Sequence, residues 1–133
     1  MRQRPRILVV DDNVDGAHML ALVLEASGYG VTVEHRPGSA LEQARHTRPA
    51  VAILDIGLPE MDGNELARRL RSQPETAHML LIAVTGYGHD QDRRSSLEAG
   101  FDHHLVKPVD AARLIALLAE ACPSSSQVAR TRD

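Results

Sequence analysis

The sequence predicts an α/β fold: a five-stranded parallel sheet, doubly wound, with helices on both faces. Three observations predict it. Short apolar segments alternate with longer segments of helical periodicity, strand then helix, five times over. The apolar segments ILVV (7–10), VAIL (51–54) and LLIAV (80–84) are continuously aliphatic, as strands read when both faces are covered in a parallel sheet. Four of the five apolar segments also stop at a polar residue with chemistry to offer: Asp11 and Asp12, Asp55, Thr85 and Lys107.

The elements follow in order. ILVV runs into Asp11-Asp12, and residues 14–27 then place Ala17, Leu20, Ala21 and Leu24 on one helical face, with Gly28 where a C-terminal cap glycine belongs. VTVE (31–34) alternates apolar and polar, as an edge strand tolerates, and leads to a weaker helix over 38–47 with Ala40, Leu41 and Ala44. VAIL ends at Asp55, and a Gly-Leu-Pro turn precedes a helix over 62–72 carrying Leu66 and Leu70 four apart. LLIAV ends at Thr85; a polar helix over 90–99 with Leu97 is closed by Gly100. HHLV (103–106) is a second edge strand, ending at Lys107. The last helix, 110–121, has Asp110 as its N-cap and carries Leu114, Ile115, Leu117 and Leu118.

Bulk properties narrow the function. A chain of 133 residues with 43% apolar residues suits one domain with a real core. Residues 1–5 and 122–133, with its Ser-Ser-Ser run, read as disordered tails around a domain at 6–121. Aromatics are 2% and the net charge is -3, so a phosphate-neutralising or base-stacking nucleic-acid surface is not expected; the terminal arginines read as solubilising. The single Cys122 makes no internal disulfide, and no apolar run reaches the roughly 18 residues of a membrane span. The expected location is the cytoplasm.

Ligands of such sheets bind outside the carboxyl ends of the strands. There the sequence places three carboxylates, a hydroxyl and an ammonium. Three carboxylates together repel unless a cation joins them, and hard oxygen ligands suit Mg²⁺, which also binds phosphate oxygens. Phosphoryl transfer needs positioning and charge neutralisation above all, and a carboxylate can serve as the nucleophile, giving an aspartyl phosphate. Singly, each residue has a plainer reading: Asp11-Asp12 as a helix cap, Thr85 as a strand terminator, Lys107 as a solvated charge. The combination at matching strand ends carries the reading.

VVDDN (9–13), DIGLPEMDG (55–63), VTG (84–86) and VKP (106–108), in that order and each at a strand end, resemble the response-regulator receiver domain, the CheY-like, flavodoxin-like (βα)5 family of two-component signalling. The resemblance covers residues 6 to about 121. It implies strand order 2-1-3-4-5. It further implies Asp55 as phosphoacceptor, and Mg²⁺ held by Asp11, Asp12, Asp55 and the backbone carbonyl of Gly57. Thr85 and Lys107 would contact the phosphoryl group, and the Lys107-Pro108 bond would be cis. The donor would be a histidine kinase or histidine phosphotransfer protein, and the domain would catalyse only its own phosphorylation and dephosphorylation. The effector would read the face around residues 88–121. DIGLPEMDG, TGYG (85–88) and the stretch 100–110 are similar to receivers of hybrid histidine kinases, and a stand-alone regulator fits as well. The alternatives are an unphosphorylated docking module and a small Mg²⁺-dependent phosphohydrolase, for which the short turns leave no cap.

One position departs from the family pattern. His104 stands three residues before Lys107, where many receivers carry an aromatic ring that swings inward, and so takes the switch role with Thr85. Tyr87 and Gly57, two residues after Thr85 and Asp55, border the site. His103 and His104 point to opposite faces and do not chelate one ion; His18, His35, His46, His78 and His89 show no chelating spacing. Acidic crowding predicts that Asp12→Asn stabilises the metal-free protein by roughly 1–4 kcal/mol.

Overall fold

The computed structural model describes residues 5–57, 61–86, 94 and 97–121. Nine elements are assigned among them: β1 (Arg6–Val10), α1 (Val14–Ala26), β2 (Gly30–Glu34), α2 (Pro37–Thr47), β3 (Val51–Asp55), α3 (Gly63–Arg71), β4 (Leu80–Thr85), β5 (His103–Val106) and α4 (Ala111–Ala121). Residues 97–99 are also helical and turn at Gly100, in keeping with the end of the helix expected over 90–99. Residue 94 is helical as well, whereas 90–93 and 95–96, Tyr87, His89, Cys122 and most of both tails lie outside the described residues.

All strand pairings are parallel and the sheet order is β2-β1-β3-β4-β5. The two strands read as edges, β2 and β5, are the edges. Side chains alternate across a strand, so the continuous aliphatic runs feed two cores. Leu8, Val10, Ala52, Leu54, Leu81 and Ala83 pack against Ala40 and Ala44 of α2 and Leu66, Ala67 and Leu70 of α3. Ile7, Val9, Val51, Ile53, Ile82, Val84 and Leu105 pack against Ala17 and Leu24 of α1 and Leu114 and Leu118 of α4. Each buried Leu, Ile or Val contributes roughly 1.5–3 kcal/mol. The small residues Ala40, Ala44, Ala52, Ala67 and Ala83 on the α2/α3 side leave room for close helix–sheet contact.

The helix boundaries follow their caps. Asn13 caps α1 through Gly16 N, Asp62 caps α3 through Glu65 N, and Asp110 accepts from Ala112 N and Arg113 N at the start of α4. Thus α3 begins one residue later than the sequence reading, with Asp62 as its cap and not in its first turn, while Asp110 sits at the start of α4 in the cap position read from the sequence. Gly28 and Gly100 take φ of 101° and 108°, as their cap positions require. At the end of α2 the left-handed residue is Arg48, φ 46°, a stop that carried no glycine signal.

Candidate functional site

Asp12 apart, the residues singled out at strand ends are pinned by the sheet's own backbone ladder, continued one step past the strand. Asp11 N bonds Glu34 O (3.1 Å), Ile56 N bonds Val84 O (3.0 Å), and Lys107 N bonds Thr85 O (2.7 Å). Asp11, Asp55, Thr85 and Lys107 therefore share one rim. It lies where the order reverses between β1 and β3, the switch point of a doubly wound sheet. The Lys107-Pro108 peptide is cis.

Asp55 continues the Val51–Ile53 row toward α1 and α4 and is 7% exposed. Its Oδ1 accepts from Gly57 N at 3.0 Å and its Oδ2 from Lys107 Nζ at 3.1 Å. Lys107 Nζ also stands 3.4 Å from Asp11 Oδ2. Asp11 Oδ1 accepts from Asn13 N at 2.9 Å. Carboxylate oxygens of Asp11, Asp12 and Asp55 lie within 4.8 Å of one another. Asp12 is the exposed member and Thr85 is buried.

The electrostatics are those of a surplus of negative charge. Burial pushes the Asp11 carboxyl above its usual range; the bond from Asn13 opposes this and the charge of Asp55 adds to it. Burial alone would lower Lys107, but the bond and charge of Asp55, then Asp11, outweigh it and hold the ammonium above the usual lysine value. Among the described residues one ammonium, that of Lys107, faces the three carboxylates. An all-oxygen donor set of this kind fits a hard dication such as Mg²⁺. Its ligand oxygens would sit roughly 3–4.2 Å apart at Mg–O distances of about 2.1 Å, so the 4.8 Å envelope needs only a small closure.

Two features of the rim escape sequence reasoning. Gly63, the last letter of the DIGLPEMDG stretch, carries the start of α3 against the acceptor strand. A Cβ there would stand 2.7 Å from Asp55 O and from Ile56 Cα, both backbone, while Gly63 N bonds Ile56 O at 2.9 Å. The signal was present, since a glycine at a helix start is unfavourable without such a reason. The other feature is a histidine pair. His35 Nδ1 donates to the Asp11 carbonyl at 2.8 Å, and its ring meets His18 of α1 edge-on, centroids 5.9 Å apart and planes at 66°. Their spacing along the chain gave no sign of this contact, which arises because β1–β2 pairing brings the end of β2 beside the start of α1. His104 is half-buried on β5, opposite Ala83 in register, and it does not join the acidic group.

Beside the acids a cleft of about 530 Å³ opens between α1 and the segment after Lys107, lined by Met19, Leu20, Val23, Pro108, Val109 and Ala111. Met19 is 65% exposed at its edge.

Fold and rim together are those of a phosphotransfer signalling module. The response regulator receiver domain matches residues 7–119, and the chain belongs to that family. It is 40% identical over 116 residues to a 14.6 kDa protein in the sodA1 3' region of Leptolyngbya boryana, covering 87% of this chain and 88% of the relative. It is 34% identical to the DNA-binding dual master transcriptional regulator RpaA of Synechocystis, where 84% of the chain spans only 46% of the relative. Among solved structures, a CheY-like receiver domain protein from Methanospirillum hungatei superimposes with a TM-score of 0.82 at 32% identity, covering 89% of this chain and 93% of that one. Phosphotransfer to an aspartate is the general function of the family, whose members work with histidine kinases or phosphotransfer proteins. Among the described residues no helix is long and apolar enough to cross a membrane.

Proposed function

We propose that residues 6–121 form a receiver whose phosphoacceptor is Asp55, switched by a histidine kinase or a histidine phosphotransfer protein. One observation carries the assignment. Asp55 is a buried carboxylate on a strand end, with Oδ1 held by the Gly57 amide, Oδ2 by Lys107 Nζ, and a second carboxylate, Asp11, on the same ammonium. A carboxylate fixed at both oxygens loses little freedom on reaction and presents its remaining lone pairs toward the rim.

In the step proposed, an Asp55 oxygen attacks the phosphorus of a phosphohistidine. The P–N bond breaks and the imidazole leaves with its electron pair, taking up a proton. Asp11, Asp12, Asp55 and the Gly57 carbonyl would hold Mg²⁺, which would supply charge neutralisation for the phosphoryl oxygens. Lys107, already above its usual basicity, keeps its proton throughout and pairs with the new phosphate. Thr85, buried at the next strand end, supplies a hydroxyl to a phosphoryl oxygen, and its movement with His104 shifts an existing equilibrium of the surface beyond β4. Apolar side chains exposed at Leu97 and Val106 support a readout surface on that side of the sheet. The domain catalyses the gain and loss of its own phosphoryl group and turns over no other substrate. The complete acidic set with its ammonium disfavours a docking module that is never phosphorylated.

The test is intact mass after incubation with acetyl phosphate and Mg²⁺. Wild type gains one phosphoryl group; Asp55→Asn gains none, and EDTA abolishes the gain in wild type. Equal labelling of the Asp55→Asn protein would place the acceptor elsewhere.

A further inference from the structure

We propose that His18 and His35 form a second cation site, distinct in chemistry from the acidic rim, that takes a transition-metal dication such as Zn²⁺ through two imidazole nitrogens. Four observations lead to it. The rings are neighbours, with centroids 5.9 Å apart. For Zn–N distances of about 2.0–2.1 Å, two ring centres sharing one ion lie roughly 5–6.5 Å apart, depending on the N–Zn–N angle. The pair already has that spacing.

The second observation fixes the tautomer. His35 Nδ1 stands 2.8 Å from a carbonyl, which accepts only, so Nδ1 carries a proton and Nε2 is the nitrogen whose lone pair the neutral tautomer offers. A backbone carbonyl on one imidazole nitrogen is the arrangement that orients metal-ligating histidines. Third, both residues sit on firm supports. His18 is on the thirteen-residue α1, capped by Asn13, and His35 directly follows β2, whose last residue bonds Asp11 N. Sites supported in this way hold their geometry. Fourth, the site is open and its surroundings are acidic. His18 is exposed, and Asp12 and Asp15 flank the start of α1 on the chain that carries it, which raises the local cation concentration.

The two sites divide ions by softness. Carboxylate oxygens suit Mg²⁺, whereas imidazole suits Zn²⁺, Ni²⁺ and Cu²⁺. The Asp11 carbonyl joins them physically, because the residue that offers a carboxylate to the rim holds His35 through its backbone. The site does not depend on Asp55 being phosphorylated.

The experiment is calorimetric titration of the full chain with Zn²⁺ in a large excess of Mg²⁺, so that the acidic rim is occupied. Wild type is expected to bind one equivalent at the pair. His18→Ala weakens that binding at least tenfold. His35→Gln, whose amide can still donate to the Asp11 carbonyl, does the same, and His46→Ala and His78→Ala leave it unchanged. Urea midpoints of the variants confirm that they are folded. Wild-type affinity in both His18→Ala and His35→Gln, no binding to wild type, or displacement of Zn²⁺ by rising Mg²⁺ would each overturn the proposal.

Discussion

Two clusters among the described residues bring a cation to aspartate, at opposite ends of the sheet, and they are built on opposite terms. At the carboxyl ends, Lys107 faces Asp55 and Asp11, and Asp12 adds a further carboxylate. At the amino end of β4, Arg71 closes α3 with all its nitrogens engaged. Its Nε and Nη2 donate to Gly100 O (2.9 and 2.7 Å), Nη1 to Ala77 O (2.9 Å) and Met79 O, and Nη2 to Asp102 Oδ2 (2.8 Å). The same Asp102 oxygen accepts from Leu81 N at 2.9 Å, and Gly100 lies so close that a Cβ there would meet Arg71 Cγ at 2.9 Å. The planar fork of arginine satisfies several carbonyls at once, whereas lysine is a movable point charge. Where charge and hydrogen bonds balance, the cluster is a fastening. Where negative charge is in surplus, the cluster has the donor set for a further cation.

Breaking the fastening should have the largest effect on stability. Arg71→Ala strands the Gly100, Ala77 and Met79 carbonyls and leaves Asp102 without its cation, and is expected to cost about 2–4 kcal/mol. Arg71→Lys should recover less than half of that. Urea midpoints measure both, and a loss below 1 kcal/mol for the alanine variant would erase the distinction drawn between the clusters. Next comes the cation. Mg²⁺ at about a hundred times its Kd should stabilise the wild type by about 2.7 kcal/mol. Arg71→Ala should keep that increment and Asp11→Asn should lose most of it; denaturation with and without EDTA decides.

A smaller effect is the pH dependence of the metal-free protein. Asp11 is raised, so the folded state holds its proton more tightly than the unfolded chain. That contribution is complete below the usual 3.8 and is lost as pH rises through the raised folded value. Lys107 is also raised, so its contribution is complete below 10.5 and is lost as pH climbs through the folded value. The wild type minus Asp11→Asn difference in urea midpoint should therefore favour wild type most in acid, the reverse of an ordinary paired carboxylate. A difference that grows toward neutral pH would contradict a surplus of charge. Smallest is Asp12→Asn. The sequence suggested roughly 1–4 kcal/mol of relief, but Asp12 is exposed and Lys107 already pairs the inner two acids. About 0.5 kcal/mol of stabilisation in EDTA is expected.

The two clusters also differ in how far the sequence disclosed them. The acidic rim was legible because each member terminates an apolar run, and parallel topology brings strand ends together whatever the loops do. Asp11, Asp55, Thr85 and Lys107 all lie where that reasoning put them. Arg71 is one of three arginines in the last turn of α3, and nothing in its neighbourhood along the chain marks Gly100 and Asp102, about thirty residues on, as its partners. The His18–His35 contact was missed for the same reason, since an offset of 17 positions fits no chelating motif.

By itself the sequence determined the alternation of strands and helices, the two edge strands, the caps at Asp110, Gly28 and Gly100, and the set of acids on one rim. These are consequences of period, cap chemistry and the rule that parallel strands share a direction. Only the tertiary structure decided which side chains meet across elements: Arg71 with the 100–102 turn, His35 with the Asp11 carbonyl, Gly63 against the backbone of Asp55. Such contacts depend on distances of a few ångströms between segments far apart in the chain. A local pattern carries no information at that range until packing fixes the separation of strand and helix.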